Sequence, residues 1–400
     1  MSNLKTYIAG FGINSVLGNS NKEIFENLLK GKICYKIHEE RIDLGYHSPL
    51  FAKVDNKQYL KTNERLPIEF QNIAAVVQNC IDDSFPLNYK NKRCGIIVSS
   101  DSNISNIKDM FEQYSKHKST KAINIQHSFD TLNSSISLLL AKEFDINSLN
   151  LTISSACSGG GNAIGLAKLY LEANLLDYCF VIGYQEDNNY AQLSFDSTRL
   201  FSKTCCRPFD KNRDGLIPSS GCGCLLLTNI EKYNKYGEVF GYGISTGNDK
   251  IYPDKKSLYK CIQRACYNLS DLTKIVYINA HATGTQIGDS EELFVLSSLF
   301  KPKFEKCLDD KKQLITSTKA LTGHECWTAG INEIIYSLIQ AYNGVFFKQY
   351  NYESTEDELF EHKNFIITEN KYIKSTEDKY ILSNSFGFGG SNSSILIKLK

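Results

Sequence analysis

The stretch Ser155-Ala156-Cys157-Ser158-Gly159-Gly160-Gly161 lies between an apolar run and a helix-like one, and its reading decides the fold. Upstream, Leu149-Asn-Leu-Thr-Ile153 has the length and β-branched content of a buried strand. Downstream, Ile164, Ala167, Tyr170, Leu171 and Leu175 fall at helical spacing and predict a helix over 163–175. Tyr178-Cys-Phe-Val-Ile-Gly-Tyr184 reads as the next strand, which completes a βαβ unit. Cys157 is thus expected at a strand-to-helix turn, near free backbone N–H groups and the positive end of a helix dipole. In that setting the thiol pKa is expected to fall, which favours a thiolate nucleophile. The glycines permit a sharp turn and leave room beside the sulfur. The competing reading is a buried structural cysteine.

Working outward, a short strand from Lys5 runs into Gly10-Phe11-Gly12. Ser20-Asn-Lys-Glu23 forms a capping box for an amphipathic helix through Leu29 that stops at Gly31. Residues 34–65 lack periodicity and read as an irregular connection. Helical spacing resumes over Pro67–Ile81 and again over Ser134–Leu140, with a buried strand at Cys94–Ser99 between them. Further strands are expected at Leu225–Leu227, Val276–Asn279, Tyr380–Leu382 and Ser394–Leu399, with a helix at Ile331–Tyr342. The alternation implies α/β layers around buried sheets. No linker divides the chain and no residue-level repeat is evident.

Composition removes several function classes. The 400 residues carry a net charge of +1, which gives no global pull toward nucleic acid or a membrane surface. No apolar run approaches the ~20 residues a membrane helix needs, and no secretory leader follows Met1. The 13 cysteines are scattered, without the C-x-x-C spacing of a zinc or redox site. The chain therefore reads as cytoplasmic, with reduced thiols and no metal.

Three further stretches could carry chemistry. His281-Ala-Thr283-Gly-Thr285 follows the 276–279 strand and precedes Asp289 and Glu292. Thr318-Lys319-Ala-Leu-Thr-Gly-His324 leads into the helix bearing Glu333, and Asn384-Ser-Phe-Gly-Phe388-Gly-Gly-Ser-Asn392 joins the last two strands. Singly, each has a bland reading: a core histidine, a solvated lysine, a hairpin turn. Jointly, a cysteine, two histidines and a lysine on strand-end loops suit acyl transfer to sulfur. A dinucleotide site competes, since Gly159-x-Gly161-x-x-x-Gly165 opens a helix after a strand and Glu186 and Asp187 end the next one. Its glycines are offset by one from the usual fingerprint. It also leaves Cys157, His281, Lys319 and His324 without a role.

In order and spacing, Ala156-Cys157-Ser158, the His281–Thr285 loop, Thr318–His324 and Asn384–Gly390 resemble the β-ketoacyl-acyl carrier protein synthases of types I and II. Gly10-Phe-Gly12 and Arg207-Pro-Phe-Asp-Lys-Asn-Arg-Asp-Gly215 add to the match, which spans nearly the whole chain. The resemblance implies a thiolase-like fold, with two similar βαβαβαββ halves stacked as five α/β/α/β/α layers. It divides the chain into 1–240, with the cysteine and cap insertions, and 241–400, with both histidines and the glycine-rich gating loop. It also implies decarboxylative Claisen condensation of malonyl-carrier protein with an acyl chain on Cys157. The N–H groups of Cys157 and Phe388 would form the oxyanion hole, and Phe388 would gate the two half-reactions. His281 and His324 would stabilise the enolate, with Lys319 and its charge partner Glu333 holding them. Thr283 and Thr285 would meet pantetheine, and Asp289 and Glu292 would act from behind. The implied partners are acyl carrier protein and a second subunit, identical or related, with no cofactor beyond the carrier's phosphopantetheine. Two relatives of this reading are a ketosynthase subunit of a heterodimeric polyketide or polyene system and a non-catalytic partner subunit; the intact catalytic set argues against the latter.

Two departures bear on the acyl chain. After His324 the family continues with small residues, whereas this chain has Glu325-Cys326-Trp327-Thr328-Ala329-Gly330, including its single tryptophan. Pro218-Ser219-Ser220-Gly221-Cys222 replaces a segment that is usually glycine-rich with an acidic residue. A basic face for an acidic carrier is expected at Lys116, Lys118 and Lys121 or at Lys203, Arg207, Lys211 and Arg213.

Overall fold

The structure is a computed structural model that describes residues 4–54, 68–86, 88–100, 104–125, 132–187, 189–249, 251–304, 314–355, 366 and 368–400. In chain order its main strands and helices are β1 (Tyr7–Asn14), α1 (Asn21–Lys30), α2 (Ile68–Asp83), β2 (Cys94–Ser99), α3 (Ile104–His117), α4 (Ser135–Glu143), β3 (Leu149–Ile153), α5 (Gly159–Glu172), β4 (Tyr178–Gln185), α6 (Asn189–Asp196) and β5 (Gly221–Thr228). The second half supplies β6 (Gly237–Thr246), α7 (Lys255–Ala265), β7 (Ile275–Asn279), α8 (Gln286–Phe304), β8 (Leu314–Thr316), α9 (Ala329–Tyr342), β9 (Tyr380–Phe386) and β10 (Ser391–Leu399).

The strands lie in the order β8-β7-β9-β10-β6-β1-β5-β4-β2-β3. Read outward from the β1–β6 junction, each half repeats one plan. An antiparallel pair (β1/β5, β6/β10) leads to a second antiparallel contact (β5/β4, β10/β9), and then to parallel strands. Within the sheet the halves join where β1 meets β6, through the pairs Tyr7↔Glu238 and Ile8↔Gly237. The first set of strands ends at Thr228 and the second begins at Gly237, so position 240 falls inside β6.

Strand alternation distributes the core over three layers of contact. Ile97, Val181, Leu225, Ile395 and Ile397 face inward onto α5 and α9, packing with Ile164, Leu171, Ile331 and Ile335. Ile96, Val98, Phe180 and Ile182 face the other way, onto Ile73 and Val77 of α2. Leu382 and Leu396 pack on Leu258 and Ile262 of α7 and Leu293 and Leu296 of α8. The result is helix, sheet, helix, sheet, helix: the five-layered fold. The central position of α9 explains why all of it except Tyr342 is buried. Where α5 and α9 cross, a Cβ on Gly330 would lie 2.8 Å from the backbone nitrogen of Gly161, so that approach needs glycine.

Local signals mostly have their physical cause in view. Ser20 caps α1 by accepting from the N–H of Glu23, and Gly31 closes it at φ +65°. Three expectations need correction. Leu149–Ile153 is a half-exposed edge strand, because β3 ends the sheet order. The helix after Cys157 begins at Gly159 because packing forces the glycines into it. Within 34–54 the chain is ordered, with a small pairing of Lys36–Ile37 and Leu50–Phe51 flanking a helix at Glu39–Asp43. Residues 55–65 of that segment, and Pro67, lie outside the described residues.

Candidate active site

The site gathers at the carboxyl ends of the parallel strands of both halves, where α/β folds place ligands. Cys157 follows β3, His281 follows β7, Lys319 and His324 follow β8, and Phe388 follows β9. Ala156 sits at φ +50°, and residues 156–158 form a tight 3-10 turn that runs into α5. This left-handed kink for a non-glycine residue points the cysteine away from its own strand and toward the second half. Ser155 and Ser158 brace the turn: the Ser158 hydroxyl donates to Ser155 O (2.7 Å), and Asn162 Nδ2 donates to Ser155 Oγ (2.9 Å).

His324 Nε2 lies 2.9 Å from Cys157 Sγ. The His281 and His324 rings are 5.3 Å apart, nearly perpendicular, and Cys157 Sγ and one ring nitrogen of each histidine all lie within 4.8 Å of one another. Lys319 and Glu333 form a fully buried ion pair, and Glu333 also accepts from Asn279 Nδ2 at 2.9 Å. Both ions are therefore paired, as burial requires.

Electrostatics sets the resting protonation. Burial pushes the Cys157 thiol up to about 12, although Lys319 and the backbone N–H groups of Cys157 and Phe388 pull it back. The expected lowered thiol pKa is thus corrected: desolvation outweighs the helix end, and the resting group is a thiol. Burial, with Lys319 as the next cause, holds both His281 and His324 well below the ordinary imidazole range, so both are neutral.

Asp289 and Glu292, on the first turns of α8, pin the histidine loop through its backbone. Glu292 accepts from the N–H groups of His281 (3.0 Å) and Ala282 (2.8 Å) and from Asn384 Nδ2 (2.9 Å). Asp289 accepts from Thr283 (3.0 Å), Gly284 (3.1 Å) and Phe209 (2.8 Å), tying the 207–215 segment to the same loop. Burial raises Asp289 to about 6 and Glu292 to about 7 against these donors. Thr283 and Thr285, their hydroxyls 3.2 Å apart, line a cleft of about 300 Å³ that reaches Cys157, His281, His324 and Phe388. Beyond the sulfur lies a second, much smaller cavity edged by Trp327 and Phe388.

The remaining residues singled out in the sequence divide between surface and interior. Arg213 is buried rather than presented to a partner; its Nε donates to Thr285 O (3.1 Å) and its Nη2 to Gln286 O (2.6 Å). Lys116, Lys118, Lys121, Lys203 and Lys211 are exposed. Asn279 and Asn384, which orient Glu333 and Glu292, were signalled only by an asparagine at or near a strand's carboxyl end. The glycines of the dinucleotide reading meet protein instead of open space, since a Cβ on Gly161 would clash with Ser393 Oγ at 2.2 Å.

Residues 73–232 match the β-ketoacyl synthase N-terminal domain and residues 236–353 its C-terminal domain. The chain belongs to the β-ketoacyl synthase family. Among the synthases it resembles is the 3-oxoacyl-(acyl-carrier-protein) synthase 1 of Buchnera aphidicola subsp. Acyrthosiphon pisum, 30% identical with 98% of this chain and 99% of that one covered. The Escherichia coli K12 protein of the same name is 28% identical, with 98% of each covered. In fold it matches a β-ketoacyl synthase from Burkholderia phymatum (TM-score 0.87, 20% identity, 99% and 100% covered). It also matches the ishigamide ketosynthase/chain length factor (TM-score 0.88, 18% identity, 100% of each covered). The two halves of this β-ketoacyl synthase are thus each represented by a family domain, with the nucleophile in one and the imidazoles in the other.

Proposed function

We propose that this β-ketoacyl synthase condenses a Cys157-bound acyl group with malonyl-acyl carrier protein, as its full-length likeness to 3-oxoacyl-(acyl-carrier-protein) synthases suggests. The observation that carries the reading is the contact of His324 Nε2 with Cys157 Sγ at 2.9 Å beside a second neutral imidazole. Because the resting sulfur is protonated, attack on the incoming thioester is coupled to loss of that proton, which ends on the departing pantetheine sulfur. The carrier's pantetheine thiol leaves with a proton, and the acyl group stays on sulfur. The N–H groups of Cys157 and Phe388 stabilise the oxyanion of this step.

Malonyl thioester then enters along the Thr283/Thr285 cleft. Its C2–carboxylate bond breaks, carbon dioxide leaves, and the electron pair becomes an enolate. His281 and His324 donate hydrogen bonds to the enolate oxygen; being neutral, they do so without quenching the carbanion. C2 attacks the Cys157 thioester, the C–S bond breaks, the 3-ketoacyl chain departs on the carrier, and the released sulfur takes up a proton from water to restore the thiol. Burial, helped by the Lys319 ammonium that Glu333 holds in place, keeps both imidazoles neutral.

No cofactor beyond the carrier's phosphopantetheine enters these steps. The enzyme works in the cytoplasm, where its thiols stay reduced; Cys157, Cys179, Cys222 and Cys224 are free thiols, and no helix among the described residues is long and apolar enough to cross a membrane. A second copy covers the half-exposed edge strand β3 and exposed Leu138 of the neighbouring α4. The test is product analysis with acyl- and malonyl-carrier protein. The reading requires 3-ketoacyl-carrier protein and carbon dioxide in equal amounts; carbon dioxide without 3-ketoacyl product at any acyl chain would reject it.

A further inference from the structure

The buried polar atoms that find no hydrogen-bond partner fall into recognisable places. Those of His281 and His324 belong to the reacting groups, and Lys319 Nζ is held by Glu333. Two others, Trp327 Nε1 and Gln185 Oε1, belong to residues that line the same small cavity on the far side of Cys157. Trp327 is 8% exposed and Gln185 4%. Burying a donor and an acceptor unmatched is costly, and side chains of this kind are paired in the great majority of folded proteins. Gln185 has its amide nitrogen committed, donating to Glu186 O at 2.9 Å, which leaves the oxygen over. The neighbouring Gln192 is already paired with Arg41. What remains is one N–H donor and one C=O acceptor on two residues that line a cavity touching the nucleophile.

The cavity is also short. Its volume is about 20 Å³, close to the ~10–15 Å³ that one water molecule needs. Phe195 closes it, its ring 6.2 Å from that of Trp327 and stacked 5.9 Å from that of Phe388. Trp327 stands where the family pattern has small residues, and its carbonyl is held by the Ser99 hydroxyl at 2.8 Å. The indole is therefore anchored by its backbone, and its ring takes up space in the wall of the cavity beside Cys157.

We propose that this cavity is a hydrogen-bonding subsite selecting a short, hydroxyl-bearing acyl group on Cys157. A hydroxyl suits the wall because one oxygen accepts from Trp327 Nε1–H while its proton goes to Gln185 Oε1. A methyl group of the same size would leave both unmatched. The inference rests on the condensing-enzyme reading above and names its substrate class.

The experiment measures rates of Cys157 acylation by intact mass, using acyl-carrier-protein thioesters matched in size. The pairs are 4-hydroxybutanoyl against pentanoyl and 3-hydroxybutanoyl against 3-methylbutanoyl, with tetradecanoyl as the long probe. In at least one pair the hydroxylated member is expected to load about tenfold faster or more, and tetradecanoyl is expected not to load. Trp327→Phe keeps the bulk but removes the N–H, and Gln185→Leu removes the acceptor. Each should shrink the preference toward parity, with melting curves showing that the variants fold. Equal or faster loading of both alkyl members, ready loading of tetradecanoyl, or a preference that survives both substitutions would overturn the proposal while leaving the condensing-enzyme reading intact. Loading of no thioester at all would instead overturn that reading, and this inference with it.

Discussion

Two turns in this molecule share a backbone and differ in what they do. Ala156 (φ +50°) opens the 3-10 turn 156–158, which feeds α5, fourteen residues long. Cys326 (φ +43°) opens the 3-10 turn 326–328, which feeds α9, also fourteen residues long. Neither helix has a side-chain cap on its first N–H groups. Yet the middle residue is Cys157 in one turn and Trp327 in the other. The second turn is tied down by a buried carboxylate, Glu325, which accepts from Asn332 (2.8 Å) and Tyr336 (3.1 Å). The first is tied by serines and leaves its sulfur facing His324, itself only three residues before Trp327. The lesson is that the kinked turn is a product of the repeated strand plan. Reactivity comes from the loops that the opposite half lays against it.

The comparison breaks most severely at its reactive member. Cys157→Ala should lower 3-ketoacyl formation by at least about 10³-fold, because no other group can hold the acyl chain. His281→Ala removes one of the two donors to the enolate but not the partner of the sulfur. It should slow condensation by about 10²-fold or more while Cys157 still accepts an acyl group, a split that single-turnover assays would resolve. The place where the two helices cross is next. Gly330→Val should destabilise the fold by about 1–3 kcal/mol through the clash with the Gly161 backbone, read by denaturant unfolding.

The gentlest probe concerns Glu325. Burial lifts it from 4.5 to about 8, despite the lowering effect of Asn332 and Tyr336. Folding therefore favours its protonated form; its share of stability is complete below about pH 4.5 and is lost as pH rises through about 8. Asp289 and Glu292 act with the same sign. The neutral imidazoles of His281 and His324 act oppositely, their share being lost as pH falls below the ordinary histidine range. Thermal melts between about pH 5 and about pH 9 should show Glu325→Gln gaining on the wild type as pH rises. A constant difference across that range would contradict the assignment.

Much of this was legible in residues. A glycine run between a strand-like and a helix-like segment locates the Cys157 turn, and the histidine, lysine and Phe388 loops announce themselves by their small and polar residues after apolar runs. Other features were not, for physical reasons. In Leu149–Ile153 the alternation of Leu149, Leu151 and Ile153 with Asn150 and Thr152 signals a half-buried strand, but over five residues it is outweighed by the apolar and β-branched content. The duplicated strand order is carried by register and connection, and leaves no residue-level repeat. Arg213 reads as a surface charge until the carbonyls of Thr285 and Gln286 are seen around it. The thiol's pKa sign was misjudged because a helix end is visible in sequence, whereas complete desolvation is a property of the assembled fold.

The central claim is that Cys157 carries the acyl chain between two half-reactions, and intact-protein mass tests it most directly. The enzyme is incubated with acyl-carrier protein, weighed, then given malonyl-carrier protein and weighed again, with Cys157→Ala alongside. The account requires a mass gain equal to one acyl group on the wild type, none on the variant, and its disappearance as 3-ketoacyl product forms. An adduct that persists on the Cys157→Ala chain, or one that malonyl-carrier protein never discharges, would contradict it.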